Sequence, residues 1–110
     1  MNVYDTANRL ASEIRSSEEF LKYKKAKEEI DANSELKTKV DEFEKTRYEV
    51  QVLAMQGKEV EEEKNKKLQE MYAVLISNKE IKEYFDLEVK FNVMIADVNK
   101  IIAEAVKDVL

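Results

Sequence analysis

The sequence predicts an all-α fold of about five helices, an antiparallel helical bundle with a long C-terminal helix, and three observations carry that prediction. The 110 residues hold one Gly and no Pro, whereas a β or α/β chain of this size draws on both residues at its many turns. Apolar residues recur at spacings of three and four, which is the period of one helix face. Helix-boundary residues interrupt that period near positions 16, 33, 57 and 78. Disorder is the rival reading, because 39% of the residues are charged. It fails because 44% are apolar and the net charge is only −5, enough core-forming material to offset chain entropy. The length suits one domain over residues 1–110.

The first helix is expected over about residues 3 to 15, with Val3, Ala7, Leu10 and Ile14 forming a narrow apolar seam. Ser16 and Glu19 stand at capping-box spacing, so the second helix starts near 17. Its stripe is Phe20, Tyr23, Ala26 and Ile30, and Lys24/Glu28 and Lys25/Glu29 lie one turn apart on the wet side. Asn33 or Ser34 ahead of Glu35 is N-cap material. A third helix therefore runs from about 35 to 56 on Leu36, Val40, Phe43, Val50 and Leu53 or Ala54. Arg47 interrupts that seam, and Tyr48, Val52 and Met55 occupy an adjoining face. Gly57 suits the left-handed position that closes a helix.

The run from Lys58 to Lys67 is acidic first and basic second, an order that complements a helix dipole, and Glu62/Lys66 and Glu63/Lys67 are correctly oriented pairs. It reads as the first half of a fourth helix with Val60, Leu68, Met71, Tyr72 and Leu75 facing inward. The short connection folds helices three and four into an antiparallel hairpin. Ser77 with Glu80, or Asn78, caps a fifth helix over roughly 79 to 108. At 1.5 Å per residue such a helix is on the order of 45 Å long, against a radius of gyration of about 13 Å for a compact globule of this size. From Phe91 to Leu110 it is also too apolar for a single stripe. A helix apolar on several faces is buried on several sides, so self-association as a dimer or tetramer is expected. Its interface is assigned to Phe91, Met94, Ile95, Val98, Ile101, Ile102 and Val106.

Composition excludes much chemistry. Without Cys or His there is no thiolate nucleophile, no Ser-His-Asp triad, no zinc finger and no disulfide. A disulfide-free chain suits a reducing compartment, so a cytoplasmic location is expected. Met1-Asn2-Val3-Tyr4-Asp5 lacks a basic flank leading into an apolar run, so no signal peptide is expected, and no window is apolar enough for a membrane span. Glu59, Glu61, Glu62 and Glu63 point in different directions on a helix and read as a solvated face, not a metal site. Lys22, Lys24, Lys25 and Lys27 surround Tyr23, yet Glu18, Glu19, Glu28 and Glu29 bracket them and the chain is acidic. Direct nucleic-acid binding is therefore not expected. The four Met (Met1, Met55, Met71, Met94) and nine aromatics sit at helical spacing and read as core. No Gly-rich loop precedes a helix, so nothing cradles phosphate. The reading is a non-enzymatic protein with no cofactor, no metal and no catalytic residue. Arg47, Tyr48 and the corner Gln56, Gly57, Lys58 are the candidate partner surface, because Arg47 breaks an apolar seam and an exposed corner is free to make contacts.

The opening Val3-Tyr4-Asp5-Thr6-Ala7-Asn8-Arg9-Leu10-Ala11, followed by Ile14-Arg15-Ser16-Ser17-Glu18-Glu19-Phe20, resembles the YlbF/YmcA family of small helical bacterial proteins, in its YheA-like branch. Phe43 with Gln51, the Met55-Gln56-Gly57-Lys58 corner, Asn78 before Ile81 and Tyr84, and Phe91 through Val98 extend the resemblance along the chain. Lys79 stands where many members have Pro, and the iron–sulfur cluster attached to cysteines in some relatives has no ligands here. The resemblance implies a cytoplasmic adaptor that forms homo- or hetero-oligomers with other YlbF/YmcA-type proteins. It further implies a complex that modulates the endoribonuclease RNase Y in Firmicute competence, sporulation and biofilm formation. A chaperone-like or tethering coiled coil is the alternative, but it calls for sustained heptads that the four breaks interrupt. A secreted hairpin of the WXG type would need a Trp that this chain lacks.

Overall fold

A computed structural model describes residues 2–59 and 61–110. The expected inward position of Val60 and the core assignment of Met1 lie outside the described residues. Five helices are present among the described residues: α1 (Val3–Arg15), α2 (Glu18–Asp31), α3 (Ser34–Met55), α4 (Glu62–Leu75) and α5 (Lys79–Val106). No strand occurs among the described residues.

The caps explain the boundaries. Asn2, for which the sequence suggested no role, accepts the Asp5 amide at 2.9 Å and starts α1. At the next joint the cap is Ser17, which accepts the Phe20 amide at 3.2 Å, and not Ser16. The Ser16 hydroxyl is engaged by the outgoing helix, donating to the Ser12 carbonyl at 2.9 Å. Asn33 caps α3 through the Leu36 amide at 3.2 Å. Asn78, rather than Ser77, caps α5 through the Ile81 amide at 3.1 Å.

Helix α3 ends at Gly57, whose φ of 71° lies in the left-handed region. The Lys58 amide donates to the Leu53 carbonyl and the Gly57 amide to the Ala54 carbonyl, both at 3.1 Å, which is the double bonding of a Schellman close. A Cβ added at Gly57 would meet nothing within 4 Å, so only backbone strain opposes a side chain there. Gly57→Ala is expected to cost about 1 kcal/mol of stability. The measurement is a urea melt, where a lower midpoint at constant slope supports this origin and an unchanged midpoint contradicts it.

Helix α4 begins at Glu62, four residues later than the acidic-to-basic run suggested. Starting at Lys58 would align Glu59 with Glu62 and Glu63 on one face, and like charges three and four apart repel. Starting at Glu62 leaves Glu62 and Glu63 in the first turn, where the helix dipole favours them.

Two compact units are present, one combining the chain up to Lys27 with Tyr84–Leu110, the other being Glu28–Glu83. The second unit holds most of the core. Ile30, Leu36, Val40, Phe43, Leu75 and Ile81 are buried in it, and Ile81 is 1% exposed. Helices α3 and α4 fold back on each other as the short connection predicts: Phe43 meets Tyr72 with ring centroids 5.9 Å apart. Leu36, near the start of α3, lines a furrow with Leu75 at the end of α4. The pairing is therefore antiparallel.

Ala26, Tyr84 and Phe85 are buried in the first unit. An aromatic cluster holds it together. Tyr23 stacks on Tyr84 at 5.5 Å and meets Phe91 at 5.4 Å, and Phe20 lies 6.1 Å from Phe91. Such pairs prefer offset or tilted geometry and stabilise beyond simple area burial. The Tyr23 hydroxyl donates to Glu88 at 3.3 Å, which satisfies its polar end. The core assignment fails for Tyr4, Tyr48, Tyr72 and Met55, which are exposed, although one side of the Tyr72 ring still meets Phe43. Tyr4 lies in the first turn of α1 and Met55 in the last turn of α3, where less of the chain surrounds a side chain, while Tyr48 lies off the face of α3 that carries Leu36, Val40 and Phe43.

Candidate functional site

The largest unfilled demand for burial is on α5. Twenty-eight residues at 1.5 Å each make a helix of about 42 Å. After Phe85 none of its residues is buried. Phe91, Met94, Ile95, Val98 and Val106 are half-buried, while Ile101 is 70% and Ile102 52% exposed. Val89, Val93, Val109 and Leu110 are exposed as well. Helix α1, in the same unit, has no buried residue at all: Leu10, Ala11 and Ile14 are half-buried, and Val3 and Ala7 are open. All seven residues assigned to an oligomer interface thus retain accessible surface, two of them most of it. Large apolar side chains left open in such number along one helix mark a place where proteins meet other proteins.

The second candidate surface lies on the hairpin of α3 and α4. Tyr48, Gln56, Gly57 and Lys58 are exposed, as expected of a corner. Arg47 differs from the other four. It is half-buried, and its guanidinium carbon sits 5.4 Å from the centroid of the Phe43 ring one turn earlier. The interruption of the apolar seam is therefore filled by a cation over an aromatic face. The spacing of four between Phe43 and Arg47 was the available sequence signal for this contact.

Reactive chemistry is sparse. Among the described residues no three or more Asp or Glu side chains converge as metal ligands. Lys22 is engaged by Glu18, and that hydrogen bond, reinforced by the charge, holds the Glu18 carboxyl below its ordinary range. Glu18, Glu19, Lys22 and Lys90 share one small depression of mixed sign, which is a poor seat for a polyanion. No described helix is long and apolar enough to cross a membrane.

The fold and these surfaces define a class: a small all-helical protein whose distinguishing chemistry is open apolar helix surface, not a cluster of reactive groups. The sequence matches the family described as "Control of competence regulator ComK, YlbF/YmcA" over residues 3–107. The chain belongs to this YlbF/YmcA family, a family of regulators. It is 40% identical over 105 residues to a UPF0342 protein of Caldicellulosiruptor saccharolyticus, covering 96% of this chain and 88% of that one. A UPF0342 protein of Staphylococcus aureus is 33% identical over 109 residues, covering 99% of this chain and 96% of its own. Two solved structures share the fold. A protein of unknown function (DUF964) from Bacillus stearothermophilus gives a TM-score of 0.84 at 20% identity, with 96% and 93% of the two chains covered. The yheA protein of Bacillus subtilis gives 0.71 at 23% identity over the full length of both.

Proposed function

We propose that this protein is a non-enzymatic cytoplasmic adaptor that self-associates through α5, as a dimer or tetramer, and offers the α3–α4 corner to a protein partner. The observation that carries this reading is the run of open apolar side chains on α5, above all Ile101 and Ile102. Exposed aliphatic surface on a helix that the rest of its own chain leaves uncovered is favourable only when another protein covers it. Arg47 and Tyr48 supply the residue types that most often anchor a protein interface. The family resemblance extends the proposal to hetero-oligomers with other YlbF/YmcA-type proteins and to modulation of an RNase Y-type endoribonuclease in competence, sporulation and biofilm formation. In this reading RNA is touched by the endoribonuclease and not by the adaptor.

The test is an affinity pull-down of the tagged protein from its native cells, with Val98→Asp alongside and partners identified by mass spectrometry. Recovery of YlbF/YmcA-type proteins or of an endoribonuclease, weakened in the variant, supports the adaptor. Recovery of no protein except the bait itself overturns the partner half of the proposal.

A further inference from the structure

Phe20 lies against Phe91, and Tyr23, one turn on, stacks on Tyr84. Helix α2 therefore runs antiparallel to α5 and begins beside Phe91. Helix α5 continues to Val106, about 22 Å past that point at 1.5 Å per residue. Within the first unit α1 is the one element left to lie along this stretch, and its 13 residues span about 20 Å. Both helices of this arm carry apolar residues at alternating spacings of three and four, Val3, Ala7 and Leu10 on α1, Ile95, Val98 and Ile102 on α5, the seam of near-aligned helix packing. Two helices make a single layer, which covers each seam from one side only. Leu10, Ile95 and Val98 are accordingly half-buried, Ala7 is open, and Ile102 is 52% and Val3 81% exposed. The buried residues among those described in the first unit are Ala26, Tyr84 and Phe85, none of them on α1 or on α5 beyond Phe85. The arm has no core of its own, and a stable architecture needs a second layer.

Area and charge together identify that layer. The chain exposes 8808 Å², roughly 2,500 Å² more than a compact monomer of 12.9 kDa, whereas a stable dimer needs only about 800 Å² from each partner. Acidic and basic residues of the first unit are equal in number, so the whole net charge of −5 falls within 28–83. On the arm itself Arg9 pairs with Glu13 at 3.3 Å and Lys107 with Glu104 at 3.2 Å, each within its own helix. A surface neutralised in this way exerts no net pull on a polyanion or on a strongly charged protein, and two copies of it do not repel. We propose that the α1–α5 arm packs on the same arm of a second copy about a two-fold axis, so that two open layers close into an intermolecular four-helix bundle and α1 supplies half of the interface. Isologous contacts of this form close on themselves, and antiparallel helix pairs with an open apolar face are the halves from which four-helix bundles are built. The inference rests on the self-association proposed above and deepens it, fixing the stoichiometry at two and adding α1 to α5.

The experiment is molar mass by light scattering and sedimentation velocity, on the full chain, for wild type, Val98→Asp and the double variant Val3→Asp with Ala7→Glu. Position 3 is in the first turn of α1, where an acid is favourable to the helix, and Glu at the open position 7 keeps a good helix propensity. The double variant is therefore expected to keep its helical circular dichroism. Wild type is expected at the mass of two chains. Two carboxylates in the seam of a closed bundle weaken association more than about tenfold, so the double variant is a monomer at concentrations where wild type is a dimer. Hydrogen exchange gives a second readout, in which protection of the α1 amides rises with protein concentration in wild type and stays constant in Val98→Asp. A double variant that remains dimeric while Val98→Asp dissociates overturns the part given to α1 and leaves self-association through α5 standing. Exchange in α1 that does not depend on concentration in a dimeric wild type has the same meaning. A wild type that is a monomer at micromolar concentration overturns this inference together with the self-association beneath it, and leaves the arm to a different protein.

Discussion

Ile81→Ala is expected to lower the free energy of unfolding by roughly 2–5 kcal/mol, a large share of the approximately 5–15 kcal/mol that keeps a domain folded. Ile81 is the most deeply buried large side chain among the described residues. It sits in the first turn of α5, immediately after the Asn78 cap, and its own amide is the one that Asn78 accepts. With Leu36, Val74 and Leu75 it lines the furrow beside α3 and α4. Truncation removes the transfer energy of three carbons and leaves a void beside two helix ends that are each held by a cap. Those caps restrict the collapse that would otherwise soften the loss. Urea melts at fixed protein concentration give the number. A shift below about 1 kcal/mol would mean that the site relaxes and that Ile81 is not central to the second unit.

Val98→Asp is expected to convert the oligomer proposed above into smaller species while retaining most of its helical signal. Val98 is half-buried in the single chain, so a carboxylate there keeps partial access to water as long as no second copy covers it. Covering it costs several kcal/mol unless a cation is provided, and a few kcal/mol correspond to a hundredfold or greater change in dissociation constant. Sedimentation at micromolar concentration separates the outcomes. A wild-type protein that is already a monomer, or a variant that sediments like wild type, removes the α5 interface.

Much of the helical outline was legible because the signals were local. Gly57, the single Gly, marked the left-handed close of α3 correctly, and Asn33 and Asn78 marked two starts through their own side chains. The start of α4 was not legible. An acidic-to-basic run satisfies the dipole whether the helix opens at residue 58 or 62, and only the repulsion among Glu59, Glu62 and Glu63 separates the two. Ser16 and Ser17 posed the same kind of near-tie: both hydroxyls donate back to α1 carbonyls, and only that of Ser17 also accepts an amide of α2. Of the candidate surfaces, the excess apolar content of α5 was readable, but the division into half-buried Val98 and open Ile101 depends on neighbours distant in sequence. The aromatic cluster was hidden for that reason. Tyr23 and Tyr84 are ordinary members of separate amphipathic stripes until the fold brings them together.

The division of the chain between its units bears on the order in which they assemble. The second unit is continuous, and its α3–α4 hairpin closes over a short connection. The first is made of the two ends of the chain, joined by contacts such as Tyr23 to Glu88, 65 residues apart. Closing so long a loop in an unfolded chain carries an entropic cost that grows with its length, and long-range contacts slow folding. Once the second unit has formed, however, it shortens the effective distance between Lys27 and Tyr84, and most of that cost has already been met. Pulse-labelled hydrogen exchange during refolding should show protection at Val40 and Phe43 before Tyr84 and Phe85. The hairpin then acts as the template for its own termini, and α1 and the end of α5 are the last segments to be ordered and the first to be lost.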